Sequence, residues 1–567
     1  MDRRRSPSPF DVLAGLFPKV SSVSSPDRTT AQTKPTRHNK AAPSMEFRPP
    51  TPAKGPISQA KPQPQPQPQP QKAETKKRKD KRKAPPPHGG RAFAYVNPGR
   101  LTPKLSECPR RASAPTRAEP RPLTGRAALD HVLRHVDLAA LNQVTTAAPS
   151  VSSTTAEGVR SIISSGAALL SANPNPDPMG YRVGLDFGTS TTKVVICSDA
   201  ADTDYAMAVP PELQVDEHGR RQEHLWRTCV WFDDAEQRFD LIPSATTRPI
   251  SGFKTGLIQR EGHRMLAGVS HHAASAAYLA LLIAYIVGCD AERMERQGIS
   301  PRPYSRFHIG VPVACLEEDD RVASFHRVAQ AAFRLAPTAA SLTLDKVIEA
   351  LSMEVVSTTT DADTPYQLFE ELAGVVAGYN LTPERSTGPH MIVDIGAATL
   401  DVATFYIPDG ENPLEVYESG VVLLGAQALE CALKAGVSEP VFRAACQHHT
   451  GSILNDTRRF KHFVFEAGPG SPPKPMIFIG GGRLSPIYKA TYQGYSEAFL
   501  APMRTPGVSR WLERDLTTDT ERLLLAWGLA QDPGAEAIPM IRPRSQVVPI
   551  VRRVRDWQGD YIGPEVC

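Results

Sequence analysis

Two stretches of the chain, whose carboxylates Asp186 and Asp394 lie 208 positions apart, are written on one plan. That repetition limits the available folds more than any other feature. In the first, residues 183–187 form a short apolar run with Asp186 near its end. Gly188 breaks the run, Thr189, Ser190, Thr191 and Thr192 follow, and residues 194–196 resume as a β-branched run. Short apolar runs on either side of a Gly and hydroxyl turn predict a two-stranded hairpin. In the second, an apolar run from residue 391 reaches Asp394 and Gly396 breaks it. Ala397, Ala398 and Thr399 then turn the chain, and residues 402–405 continue beyond Asp401. Turns of this kind present backbone N–H groups and hydroxyls together, which suits phosphate oxygens. A carboxylate beside them reaches magnesium through waters, since magnesium dehydrates reluctantly. One such hairpin is more often only a hairpin. Two predict an internally duplicated α/β fold, each half bringing one phosphate loop and one carboxylate to a shared cleft.

A third stretch, residues 476–486, runs an apolar strand into Gly480, Gly481 and Gly482. Three glycines let backbone lie flat against a planar ligand such as adenosine, because no Cβ intervenes. Alone, such a run is usually a loop.

Charge shows where the folded part begins. The net of +5 hides two opposite parts. Residues 1–175 carry 29 Lys and Arg against 11 Asp and Glu, a net of +18, and the remainder carries −13. The first 120 or so residues are rich in Pro, Ser, Thr and Lys, with too few apolar side chains to offset ordering entropy. Within them, residues 76–83 are a dense basic cluster without interleaved aromatics. It reads as a solvated charge run, a nuclear-import signal or an electrostatic contact with nucleic acid or acidic lipid. Helical spacing appears near 126–142 and again near 157–170, and Pro174, Pro176 and Pro178 mark a stiff boundary before the first hairpin.

Eight scattered cysteines with no C-x-x-C pair argue against a zinc site or a disulfide framework and fit a reducing compartment. No secretory signal is expected at the N-terminus. The longest apolar run, residues 273–288, predicts a buried helix rather than a membrane span. Between the hairpins, the pattern predicts strands at 227–232 and 238–242 continuing the first meander. It then predicts a loop at 253–257, a buried strand at 307–313 and a helix at 321–335. A weakly structured insertion is expected at 336–365, then a small-residue helix opening near 369 with two carboxylates, Glu370 and Glu371, in its first turn.

In this order the motifs resemble the actin, sugar-kinase and seventy-kilodalton heat-shock chaperone superfamily of ATPases. Residues 186–193 look like its first phosphate motif, 394–401 like its second and 479–482 like its adenosine motif. Residues 309–313 look like its first connecting strand, and 523–530 like its closing helix. Among branches, the chain looks closest to divergent heat-shock-like proteins lacking the usual substrate-binding domain. The resemblance implies a duplicated actin-like (ribonuclease H-like) ATPase fold at 181–531, with two lobes around a nucleotide cleft. A disordered basic tail at 1–175 precedes it and a short extension at 532–567 follows.

Carried over residue by residue, the resemblance implies that Gly188, Thr189, Ser190 and Thr191 bind phosphates of ATP or ADP. Gly396 and Thr399 approach them from the other side, with Asp401 in support. Gly480, Gly481 and Gly482 face adenosine. Asp186 and Asp394 position Mg²⁺ through waters, and Glu371 orients the attacking water. Lys254 is a candidate for stabilising transferred charge, a surface lysine being the alternative. The implied function is a magnesium-dependent, slowly hydrolysing ATPase module acting as a nucleotide-dependent chaperone or switch. The alternatives are a sugar-type kinase, an actin-like filament protein or an inactive nucleotide-binding scaffold.

Two departures from the family's pattern carry consequences. Ala397 and Ala398 stand where it has glycines, which predicts a strained second loop and slow hydrolysis. The 55 residues from Gly425 to Gly480 predict a reduced lobe over the adenine. The expected location is cytoplasmic, with nuclear targeting through 76–83 if the source is eukaryotic. Expected partners are a nucleotide, a protein client, and an acidic partner for the tail (nucleic acid or an import receptor), with no membrane span.

Overall fold

Both hairpins form, and each becomes the centre of a sheet. The computed structural model describes residues 123–137, 149–198, 204–217, 220–266, 268–312, 319–354, 364–409, 414–460, 475–498, 503–504, 520–531 and 540–541. The basic cluster at 76–83 and most of the extension at 532–567 lie outside the described residues.

The first sheet contains β1 (Tyr181–Phe187), β2 (Thr191–Cys197), β3 (Tyr205–Ala206), β4 (Tyr304–Val311) and β5 (Tyr366–Glu370), in the order β5-β4-β1-β2-β3. The second contains β6 (Gly388–Ile395), β7 (Leu400–Ile407), β8 (Leu414–Val422), β9 (Met476–Ile479) and β10 (Met503–Arg504), in the order β10-β9-β6-β7-β8, with the two-residue strand Met540–Ile541 added parallel to β8 at the outer edge. The directions agree as well as the order. β1 runs antiparallel to β2 and parallel to β4, and β6 runs antiparallel to β7 and parallel to β9. Each sheet is therefore an antiparallel meander continued on its other side by two parallel strands.

Alternation along the strands decides what each sheet buries. In β1 and β2, Val183, Leu185, Phe187, Val194 and Ile196 point to an outer core shared with helices α2 (Ser153–Ala172), α3 (His271–Arg296) and α4 (Asp319–Leu335). Val195 and Cys197 point the other way. In the second sheet, Met391, Val393, Ile395, Leu400 and Val402 face a core shared with α1 (Gly125–His135), α6 (Ala426–Lys434), α7 (Glu439–Thr457) and α8 (Pro486–Ala498). Ile392, Ala403, Phe405, Ile477 and Ile479 join Val195 and Cys197 in a third core, with α5 (Glu371–Leu381) and α9 (Leu524–Ala530). The inner faces of the two sheets thus meet through two short helices. With a period of two, Asp186, Asp394 and Asp401 belong to those inner faces.

The two helices cross closely. A Cβ on Gly528 of α9 would stand 1.9 Å from the Gly374 carbonyl oxygen of α5, and one on Gly184 of β1 would stand 1.9 Å from the Ala526 carbonyl oxygen. The small residues at 374, 378 and 528 set this approach.

Several expectations are corrected. The tail's boundary at 175 is one of them: helices α1 and α2, whose amphipathic spacing allows docking on the body or on a partner, pack on the body. Ala128, Leu129 and Val132 are buried in the second outer core, and Val159, Ile163, Ala167 and Leu170 in the first. Their helical spacing gathers the apolar residues on one face, in α1 despite Arg126, Asp130 and Arg134 on the same helix. Residues 229–251 do not extend the main meander. Cys229–Asp233, Arg238–Asp240 and Thr247–Ser251 form a separate three-stranded sheet, and only Trp226–Arg227 pairs with β2.

Residues expected as a loop near 254 form the short helix Phe253–Ile258. The segment expected to be weakly structured holds a turn of 3₁₀ helix, Ala336–Ser341, and the helix Leu344–Ser352, while 355–363 lie outside the described residues. Glu370 closes β5 as the residue before α5, so only Glu371 occupies that helix's first turn. The apolar run at 273–288 extends into α3, which is 26 residues long and apolar enough to cross a membrane, but is buried inside the folded body.

Candidate functional site

Every residue nominated from the sequence lines one cavity of about 440 Å³. Asp186, Gly188, Thr189, Ser190 and Thr191 come from the first hairpin. Gly396, Thr399, Asp394 and Asp401 come from the second. Gly480, Gly481 and Gly482 follow β9, Glu371 opens α5, and Lys254 lies on the helix Phe253–Ile258.

The first loop is fixed from behind. The Thr228 hydroxyl donates to the Gly188 carbonyl oxygen at 2.7 Å, and the Thr228 N–H donates to the Ser190 carbonyl oxygen at 2.9 Å. The same hydroxyl lies 2.9 Å from the Thr192 Oγ1. Thr228 is buried, so one side chain holds both ends of the turn. Hairpin register places Lys193 directly opposite Asp186, and Lys193 Nζ donates to Asp186 Oδ2 at 2.8 Å.

The second loop is fixed by a helix N-terminus. The N–H groups of Gly425, Ala426 and Gln427, at the start of α6, donate to the carbonyl oxygens of Ala398, Gly396 and Ala397 at 2.9, 3.0 and 2.7 Å. A helix leaves its first N–H groups without partners of its own, and the loop supplies them here. Neither Ala397 nor Ala398 has a positive φ. The strain expected from two alanines in place of glycines is therefore absent, because the turn runs through backbone conformations open to any residue. Gly425 meets the close approach instead, since a Cβ there would stand 2.5 Å from the Ala398 carbonyl carbon.

Lys254 is buried rather than a surface lysine, and its Nζ donates to Glu371 Oε1 at 2.6 Å. It also lies 5.4 Å from the Phe187 ring centroid, in a cation–π arrangement. Asp394 and Asp401 are directly opposed across β6 and β7. Desolvation first, then the facing carboxylates of Glu371 and Asp186, push the Asp394 carboxyl up to about 7. Desolvation, Glu371 and Asp394 push Asp401 well above the usual carboxylate range, against a hydrogen bond from Thr399. Four carboxylates thus meet two ammonium groups at this end of the cavity, an arrangement that an added cation would relieve. Among the described residues, no cluster of three or more His, Cys, Asp or Glu side chains is placed to ligate an ion directly.

The glycines after β9 are used mainly by the protein's own atoms. Gly480 has φ +84°, and a Cβ there would stand 2.3 Å from Asp394 Oδ1. A Cβ on Gly482 would stand 2.4 Å from Ile395 Cγ2. Gly480 in this left-handed conformation therefore lets β9 turn beside the carboxylate.

Residues that no motif marks also serve the site: Lys193, Thr228 behind the first loop, and Asp216, Glu217, Gln427, Glu521 and Arg522 in the cavity wall. Lys193 was within reach of sequence reasoning, since a hairpin turning at 188–191 pairs residue 193 with residue 186. Nothing local marks the others. Arg522 pairs with Glu217 and Arg483 pairs with Glu521, contacts between residues far apart in the chain. Compared with protein-family models and with curated proteins, the chain matches none.

Proposed function

We propose that this protein binds ATP with magnesium in the cavity between the two sheets and hydrolyses it slowly. In this reading it is a nucleotide-responsive module of the actin-like, two-lobed kind that the motifs resemble, closest to heat-shock-70-like proteins. The observation that carries the reading is convergence. Three stretches separated by about 200 and 80 residues, chosen for phosphate and nucleoside chemistry, meet with Glu371 and Lys254 at one cavity. The equivalent orders and directions of the five main strands in each sheet support duplication, and the packing of α5 and α9 between the inner faces supports the two-lobed reading.

The residues fit a magnesium ion held through waters. Asp394 and Asp401 are opposed carboxylates that a cation would favour in the ionised state, and Asp186 lines the same cavity. When bound, the ion would neutralise phosphate charge. The loop hydroxyls of Thr189, Ser190, Thr191 and Thr399 would orient phosphate oxygens, and Lys193 and Lys254 would offer ammonium donors beside them. Glu371 would hold the attacking water once Lys254 turns to the phosphate. Their mutual pairing, rather than loop strain, then accounts for slow turnover. Fluorescent-ATP titration with and without magnesium, alongside phosphate release, tests this reading. Magnesium-dependent binding with turnover well below one per second is expected, and absence of binding in both conditions would refute it.

A further inference from the structure

We infer that helix α1 is a positioning element for the second phosphate loop, acting through α6, so that docking of α1 and binding of phosphates support one another; this rests on the nucleotide reading above and adds its regulation. α1 buries Leu129 and Val132 in the second outer core, where it packs on α6 and α7. α6 turns Ala428, Leu429 and Ala432 toward that same core. Only nine residues long, α6 holds the loop by its other end. The N–H groups of Gly425, Ala426 and Gln427 donate to the Ala398, Gly396 and Ala397 carbonyl oxygens at 2.9, 3.0 and 2.7 Å. The Leu429 N–H donates to the Gly425 carbonyl oxygen at 2.9 Å, so the core face and the loop-holding end lie one turn apart. A Cβ on Gly425 would stand 2.5 Å from the Ala398 carbonyl carbon, which leaves no slack between helix and loop. Ala426, Gln427, Gly396 and Thr399 all line the cavity. What moves α6 moves the loop.

α1 is a helix that its docking site must hold together. It has eleven residues, short of the length at which isolated helices persist in water. Gly125 opens it at φ +58°, Thr124 makes no side-chain capping hydrogen bond, and the first turn holds no acidic residue. Its Arg126–Asp130 pair is exposed and adds little. Apolar burial against α6 and α7 is therefore what keeps it helical. A segment whose folding depends on its seat responds to the geometry of that seat. Phosphates bound at the second loop hold α6 in place, and α1 then finds its groove formed. With α1 released, α6 loses part of the apolar surface on which it rests, and its donors drift from the loop carbonyls. Linkage makes the two effects equal in size.

Two measurements on the full chain test this. The first is hydrogen exchange without ligand. Leu129→Asp, which sets a charge in the core, is expected to release α1 and to speed exchange of the Gly425, Ala426 and Gln427 amides at least about tenfold. Val132→Ala, a milder loss, should do the same about threefold. Ile163→Ala, which opens the first outer core instead, should leave those amides within about twofold of wild type. The second is calorimetric titration with inorganic tripolyphosphate in magnesium. Leu129→Asp should weaken binding about tenfold and Val132→Ala about threefold, while Leu129→Met, which conserves volume, should bind as wild type does. Saturating tripolyphosphate should in turn slow exchange in α1 of the wild type about tenfold. Loop-holding amides unchanged by the release of α1, or α1 exchange indifferent to bound tripolyphosphate, would overturn the assignment. A wild-type protein that binds neither tripolyphosphate nor ATP would contradict the nucleotide reading, and the ligand-free exchange would still decide whether α1 positions α6.

Discussion

Lys254 Nζ donates to Glu371 Oε1 across 2.6 Å, joining a short helix of the first half to the opening turn of α5, 117 positions later in the chain. The lysine side chain is 3% exposed and the glutamate 17%, so the pair is shielded from bulk water yet faces the cavity. Removing one partner of such a pair leaves a buried charge uncompensated, at about 3–5 kcal/mol. Lys254→Ala is therefore expected to lower the ligand-free stability by roughly that amount, and Lys254→Ala with Glu371→Gln to recover part of it. Urea unfolding of the single and double variants measures the coupling. Additive losses would mean that the pair is not coupled.

A second expectation concerns turnover. Glu371→Gln keeps the shape of the side chain and removes its charge. Phosphate release should fall about a hundredfold, with ATP affinity changed much less, because a group acting on the water works in the transition state. A proportionate loss of affinity would place Glu371 in ground-state binding instead.

The pH dependence follows from Asp394. Its carboxyl is held up to about 7 in the fold by desolvation and by Glu371 and Asp186, against an ordinary value near 3.8 in the unfolded chain. The folded state then binds more protons between those values, so this group makes the ligand-free protein lose stability as pH rises from about 4 to about 7. Thermal melts in the absence of ligand should show that slope, and Asp394→Asn should reduce it, leaving the part of the same sign that the raised Asp401 carboxyl contributes. Magnesium–nucleotide binding should strengthen over the same window, because the cation competes with the proton.

The second loop carries a prediction opposite to the one its sequence suggests. With Ala397 and Ala398 in ordinary backbone conformations, replacing both with glycine should not raise the hydrolysis rate, and the added freedom should cost about 0.5–1 kcal/mol per site. Gly425→Ala, which drives a methyl to 2.5 Å from the Ala398 carbonyl carbon, should displace the loop and weaken phosphate binding. Single-turnover kinetics and tripolyphosphate titration separate the two effects.

Much of the site was legible because its parts are local. An apolar run, a carboxylate, a glycine and hydroxyls appear together at 183–192, and hairpin geometry does the rest. Lys193 was missed only because its register was not worked out. The pairing of Arg522 with Glu217 spans 305 positions and leaves no local trace. The separate sheet at 229–251 was misplaced because alternation predicts strands but not which sheet they join. The amphipathic spacing of α1 and α2 is visible in the sequence and allows docking on the body, but the basic balance of residues 1–175 gives no sign that the body begins at α1.

Those helices give a direct stability test. Ile163 is 2% exposed in the first outer core, and Ile163→Ala is expected to cost about 2–5 kcal/mol. Chemical denaturation of the full chain checks it, and a change under about 0.5 kcal/mol would mean that α2 is not part of the cooperative body.

The claim on which the rest depends is that Asp186 and Asp394, brought to one cavity from two hairpins, make nucleotide binding depend on magnesium. Isothermal titration of ATP into wild-type protein, Asp186→Asn and Asp394→Asn, each with magnesium and with chelator, measures this most directly. The account predicts micromolar binding by wild type in magnesium and loss of at least about tenfold with chelator or with either substitution. Equal affinity across all these conditions, in proteins that remain folded, would contradict it.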